Sequence, residues 1–146
     1  MDRSPLPTRE DFAMSWWFAI DERSAVEAFY GKTLEEAQAL FAGNFLWYSD
    51  ELSILPAKPF SFYVVAATNY LRSSESAGDP DSINGFCHML EHRLNRPNLG
   101  LPVDALPNIR STIAGIVDDF SKYDVDVTIY SDLIGRYRAL ANRVAA

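Results

Sequence analysis

The segment at residues 60–71 places the strongest constraint on the fold, because it is the most apolar stretch of the chain and lies near its middle. Only Ser61, Thr68 and Asn69 interrupt its apolar residues. Its length is usual for a helix and long for a strand, and Arg72 suits the carbonyl end of a helix. A helix that is apolar on nearly all sides is normally surrounded by other helices. We therefore predict a central helix with partners around it.

Other helices are predicted on both sides of this centre. Three later segments repeat their apolar residues at helical spacing, namely residues 83–94, 106–120 and 130–144. Two shorter helices precede the centre, and a capping box at Thr33 and Glu36 starts the second of them. We therefore expect an all-α fold, an irregular single-domain bundle of about six helices at residues 9–146, preceded by a flexible N-terminal arm at residues 1–8.

An α+β fold with a small sheet is the main alternative. Residues 62–67 contain two valines and could form a short buried strand. Residues 16–20 could supply a second strand. A dominant β signal in circular dichroism would favour this alternative over the all-α prediction.

Aspartates mark the predicted starts of the last three helices. Asp79 stands before a proline and is a typical N-cap, Asp104 precedes the next apolar stripe, and Asp124 or Asp126 precedes the last one. A connection of only a few residues between the last two helices favours an antiparallel hairpin. Around Asp50 we expect a turn rather than a helix.

The charge balance excludes several classes of function. The chain has 20 Asp and Glu against 13 Lys and Arg, a formal net charge of −7. Its basic residues form no face of the kind a nucleic-acid binder needs, and the acidity disfavours docking on anionic membranes. No apolar run approaches the ~20 residues that span a bilayer, and the N-terminus has no apolar secretory segment. We expect a soluble, cytoplasmic protein that binds neither nucleic acid nor membrane.

The sharpest chemical motif is the pair of histidines around Glu91. His88 and His92, with Glu91 between them, match H-x-x-E-H, the spacing of inverted zinc peptidases. Histidines four residues apart share one helix face and can bind one metal ion. This motif supports one alternative function, a metal-dependent hydrolase in which His88, Glu91 and His92 hold zinc.

The helical wheel favours a different interpretation of the same residues. With 100° per residue, His88 and His92 lie about 160° from Leu90 and its apolar stripe, on the opposite side of the helix. A catalytic zinc site needs a walled cavity and a further protein ligand, and no glutamate follows Glu91 in the chain. The wheel predicts two solvent-facing histidines and no cofactor. Cys87 lies on the apolar stripe and is predicted to be a buried core residue that forms no disulfide.

The surplus of aromatic residues supports the main functional prediction. Trp16, Trp17 and the phenylalanine after them cannot all face one core, because adjacent side chains diverge in helices and strands alike. Trp47 and Tyr48 form a second aromatic pair. Exposed aromatic residues are enriched at protein interfaces. We predict a non-enzymatic protein-interaction module that uses these four residues, either for a protein partner or for self-association.

Two other interpretations of the aromatic residues stay open. The tryptophans at residues 16 and 17 could be buried between two packed layers. A small-molecule pocket lined by Trp47, Phe60, Tyr63 and Tyr70 is also compatible with the sequence, although an ordinary aromatic core is the default interpretation of such residues.

Overall fold

The computed structural model describes residues 5–12, 20–130 and 132–145, and within them all regular structure is helical. The seven α-helices are α1 (Ile20–Phe29), α2 (Leu34–Gly43), α3 (Phe45–Ser53), α4 (Ala57–Arg72), α5 (Pro80–Leu94), α6 (Leu106–Asp118) and α7 (Leu133–Arg143). The all-α prediction is confirmed. The strand alternative is wrong for residues 62–67, which lie inside α4, whereas residues 16–19 lie outside the described part of the chain.

Helix α4 is the centre of the bundle, as its composition predicts. It packs against α2, α3, α5 and α6. Beyond its first turn only Asn69 and Arg72 are exposed, and most of its other side chains are fully buried. None of the described helices combines the length and the apolar content needed to cross a bilayer. The apolar surface of α4 is instead covered by its neighbouring helices.

Helix α3 corrects one prediction, because the turn expected around Asp50 is part of a helix. The Asn44 side chain accepts a hydrogen bond from Trp47 N at 3.1 Å and so caps the start of α3. Ser49 and Ser53 are buried, and their hydroxyls donate to carbonyls one turn back in the same helix. Buried serines break the apolar pattern by which a helix is recognised in a sequence, which explains why this helix was missed.

Helices α3 and α5 approach each other closely at Gly85. A methyl group at this position would lie 2.9 Å from Ser49 Oγ, 3.2 Å from Leu46 Cδ2 and 3.3 Å from Phe45 Cδ1. These distances are shorter than ordinary van der Waals contact, so only glycine fits there without a shift of these three side chains. Gly85 therefore fixes the spacing between the two helices.

Arg93, near the end of α5, joins the same region to the loop after α3. Its side chain is 1% exposed, and Nη1 donates to the carbonyls of Ser53 and Leu55 at 3.0 and 2.8 Å. Nε donates to the carbonyl of Gly100 at 2.8 Å, and the guanidinium lies 3.9 Å from the centre of the Phe60 ring. Burial lowers the pKa of Arg93 to about 10, so the side chain stays charged at neutral pH.

The cap of α5 is confirmed, but those of α6 and α7 are not. Asp79 accepts from Ser82 N, as predicted for the start of α5. Asp104 lies within a short 3-10 turn, and α6 begins after it without a side-chain cap. Asp126 accepts from both N and Oγ1 of Thr128 in a local turn, so it cannot cap α7, which begins at Leu133. The carboxylate of Asp126 therefore stabilises a turn and does not cap a helix.

The connection between α6 and α7 is longer than predicted, since it runs from residue 119 to residue 132. The helices nevertheless pack as an antiparallel pair. Arg110, early in α6, donates through Nε to the carbonyl of Val144, just beyond the end of α7. Their antiparallel arrangement therefore agrees with the prediction, although the expected tight connection does not.

Candidate functional site

The three residues of the H-x-x-E-H motif do not share one environment. His88 is exposed, His92 is half-buried, and Glu91 contacts Arg136 of α7 through two hydrogen bonds of 3.1 and 2.5 Å. The bond to Glu91 raises the pKa of Arg136. Glu91 therefore holds α5 against α7, and a metal ion would have to compete with a guanidinium for its carboxylate.

The prediction of two solvent-facing histidines holds for His88 and is wrong for His92, which is half-buried. Among the described residues, no group of three or more His, Cys, Asp or Glu side chains is placed to hold a metal ion. Nε2 of His92 is buried and has no hydrogen-bond partner. Burial lowers the pKa of His92, and the positive charge of Arg96 acts in the same direction. The neutral imidazole is the form that suits this position.

Cys87 lies in the core, as its place on the apolar stripe predicts. Its side chain is buried, and burial raises the pKa of the thiol to about 12. A reactive cysteine needs the thiolate form and access to solvent, and Cys87 lacks both at neutral pH. Cys87 is therefore a packing residue.

The predicted interaction residues fall into three groups. Trp47 is 56% exposed, whereas Tyr48 is half-buried and makes edge-on contacts with Phe29 and Phe41. Trp16 and Trp17 lie outside the described residues. Of the described pair, only Trp47 offers its ring to a partner.

The exposed residues Leu46, Trp47 and Asp50 share one side of α3, and this side adjoins α5 at Leu46. Leu46, which is 40% exposed, is the side chain that lies against Gly85 of α5. The exposed His88 follows Gly85 by one turn, and the negative charge of Asp50 acts on His92. We call this surface the α3–α5 face, and define it by five residues: Leu46, Trp47, Asp50, His88 and His92.

The chain around α3 is acidic. Residues 33–57, which lie between Lys32 and Lys58, contain three exposed carboxylates, the buried Glu51 and no lysine or arginine. They include Glu35 and Glu36 at the start of α2 and the exposed Asp50 of the α3–α5 face. An apolar surface flanked by negative charge is suited to a partner that carries positive charge.

The four residues predicted to line an aromatic pocket do not lie together. Phe60, Tyr63 and Tyr70 are buried, while Trp47 is exposed. The Tyr63 hydroxyl donates to the carbonyl of Lys32, and the Tyr70 hydroxyl donates to Asp79. These three rings belong to the core and do not line a common site with Trp47.

An exposed apolar loop and a nearby groove were not predicted. Val127 and Ile129 are 71% and 69% exposed in the connection between α6 and α7. An open groove of about 520 Å³ lies between α6 and α7. The alternation of aspartate and aliphatic residues after Tyr123 was a usable signal, because it fits neither a helix nor a buried loop.

Comparison with known proteins gives no match: no protein-family model, no curated protein and no solved structure is similar to this chain at a significant level. A functional proposal must therefore rest on the residues and their geometry.

Proposed function

We propose that this chain is a non-enzymatic protein-interaction module whose α3–α5 face binds a basic protein partner. The observation that carries the proposal is the exposure of Trp47. Tryptophan is the residue most enriched among those that dominate binding energy at interfaces, and it is costly to leave in water. At 56% exposed, Trp47 offers most of one ring system to a partner.

The base of this surface supports the proposal, because α3 is fixed before any partner arrives. Phe45 and Leu52 are buried in the core on the inner side of α3. Gly85 holds α5 close to it, and Arg93 binds the carbonyl of Ser53 at its end. A side chain on a rigid helix loses little freedom on binding, which favours affinity.

The chemistry of the partner follows from the charge around α3. With three exposed carboxylates, Glu35, Glu36 and Asp50, and no basic residue at positions 33–57, the region attracts lysine- and arginine-rich surfaces. Such an attraction raises the association rate and is weakened by salt. The proposed partner therefore presents an apolar slot for Trp47 with basic residues at its rim.

Affinity capture with matched variants tests this function. Wild-type protein, Trp47→Ala and Val103→Ala are immobilised separately, since Val103 is an exposed apolar residue outside the α3–α5 face. We expect a basic protein to be retained by the wild type and Val103→Ala, lost from Trp47→Ala and eluted by salt. Purified with the wild-type chain, that partner should bind Trp47→Ala with a Kd raised at least about tenfold. Identical retention by all three proteins would refute the proposal.

A zinc-dependent hydrolase is the competing proposal. The unpartnered Nε2 of His92, one turn from His88, favours it, whereas the engagement of Glu91 by Arg136 opposes it. Equilibrium dialysis separates the two functions. Stoichiometric tight zinc binding that is lost in His88→Ala would support the hydrolase, and zinc retention no greater than that of His88→Ala would exclude this site.

A further inference from the structure

The connection between α6 and α7 carries the most exposed pair of neighbouring aliphatic side chains in the described chain. Val127 and Ile129 are 71% and 69% exposed, and they lie two residues apart. Asp124, Asp126 and Asp132 surround them, and no lysine or arginine lies at positions 123–135. We call residues 124–130 and Asp132 the acidic loop. Single exposed aliphatic residues are common, but a pair framed by three carboxylates is a distinctive surface.

The acidic loop is held in a defined shape. Asp126 Oδ1 accepts from Thr128 N at 2.9 Å and from Thr128 Oγ1 at 2.7 Å, while its carbonyl accepts from Ile129 N at 3.0 Å. Tyr130 anchors the far side of the loop, because its hydroxyl donates to Asp81 of α5. Val127 and Ile129 therefore project from an organised turn, which lowers the entropic cost of inserting them into another surface.

The groove between α6 and α7 complements the acidic loop in both apolar surface and charge. Its volume is about 520 Å³, and Ile113, Val117, Ala141 and Val144 contribute apolar lining. Arg110 and Arg138 provide two positive charges against the single carboxylate of Asp118. The groove is therefore net positive, on a chain whose formal net charge is −7.

We propose that the occupant of this groove is the acidic loop of a second copy of the same chain. The aliphatic pair would fill the apolar lining, and the loop carboxylates would face the two arginines. Each copy has one loop and one groove, and a reciprocal exchange in which both are used would form a closed dimer with two-fold symmetry. The interface is small, so the dimer is weak and depends on concentration and salt.

This surface is separate from the α3–α5 face, and the two proposals fail independently. The loop and the groove belong to the last two helices, whereas Trp47 lies on α3. Loss of self-association in an acidic-loop variant that still captures a basic partner would leave the proposed function intact. Loss of the partner in Trp47→Ala with an unchanged dimer would leave the dimer proposal intact.

Sedimentation velocity over protein concentrations from about 10 µM to about 1 mM tests the dimer. Ile129→Ser removes the exposed aliphatic group, Arg138→Gln removes one groove charge, and Val103→Ser is the matched control, since Val103 is 79% exposed elsewhere. All three positions are at the surface, so the variants should fold, and circular dichroism melts check this.

We expect a monomer–dimer equilibrium for the wild type and Val103→Ser. The Kd should rise at least about tenfold in Ile129→Ser, and in Arg138→Gln it should rise and become less sensitive to salt. A wild type that stays monomeric at every concentration would overturn the proposal. A dimer that forms in Ile129→Ser and Arg138→Gln with the same Kd as in the wild type would also overturn it. Binding of the groove to a different protein with no wild-type dimer would likewise contradict the second-copy assignment.

Discussion

The helix pairs α3–α5 and α6–α7 differ in how closely their two helices pack. Where α3 meets α5, Gly85 leaves no room even for a methyl group. Between α6 and α7, by contrast, an open groove is lined by residues of both helices. The first pair is closed by its own side chains, and the second leaves apolar surface uncovered.

The charged side chains of the two regions differ in their burial. Arg93 is fully buried and satisfies three carbonyls, whereas the ion pair of Arg136 and Glu91 that ties α7 to the bundle is partly exposed. Buried polar bonds of this kind are costly to break, and exposed ion pairs contribute little. The closed pair therefore provides stability and a rigid base for Trp47, while the open pair provides surface for contact.

The largest effect is expected from the buried arginine. In Arg93→Met the carbonyls of Ser53, Leu55 and Gly100 lose their donor, and we expect the free energy of unfolding to fall by about 3–5 kcal/mol. The control Arg136→Met removes a partly exposed ion pair and should cost about 1 kcal/mol or less. Urea unfolding measures both values. An equal fall in the free energy of unfolding in the two variants would mean that the buried and the partly exposed arginine contribute equally to stability.

A matched pair of glycine substitutions tests the packing itself. Gly85→Ala pushes a methyl group against Ser49 and its neighbours, and we expect a net loss of about 1–2 kcal/mol even after the gain in helix propensity. Gly115→Ala meets open space in a helix and should gain up to about 1 kcal/mol. Thermal unfolding of both variants is sufficient. A stabilised Gly85→Ala would show that α3 and α5 are not closely packed.

The smallest effect concerns pH and belongs to the α3–α5 face. The folded protein lowers the pKa of His92 below its ordinary value of 6.5 through burial, the cations Arg96 and Arg93, and His88, while Asp50 acts in the opposite direction. The unfolded chain thus binds more protons in this window, so the stability contribution is complete above pH 6.5 and is lost as the pH falls through the lowered pKa. Melting temperatures measured from about pH 7.5 to about pH 5 should fall less steeply in His92→Gln than in the wild type.

The control for that experiment is His88→Gln, since His88 is exposed. Its melting temperatures should depend on pH less steeply than those of the wild type but more steeply than those of His92→Gln, because His88 is only one of the causes that lower the pKa of His92. If both variants gave the wild-type slope, the burial of His92 would have no energetic consequence for folding.

Local chemistry explains which parts of the fold could be predicted. The central helix and the capping box at Thr33 and Glu36 depend on residues close together in the chain, and the structure confirms them. Helix α3 was missed because its buried serines satisfy their own hydroxyls within the helix. The role of Arg93 depends on carbonyls about 40 residues away in sequence, and no local pattern encodes such a contact.

For the candidate surfaces too, only features that depend on a single helix could be predicted from the sequence. The outward position of His88 follows from a helical wheel, because both the apolar stripe and the histidine lie on one helix. The bond between Glu91 and Arg136 joins α5 to α7, and the groove exists only where α6 and α7 diverge. Those features depend on how separate helices are arranged, which a single sequence does not specify.

Photo-crosslinking from position 47 is the most direct test of partner binding by the α3–α5 face. A photoreactive phenylalanine derivative, which keeps an aromatic ring at the contact, replaces Trp47 in one protein and the more exposed Val103 in another. We predict a covalent adduct with one basic protein from position 47 and none from position 103, with a yield that falls as salt is added. Adducts with the same proteins from both positions, or none from position 47, would contradict the claim that the α3–α5 face is a partner-binding surface.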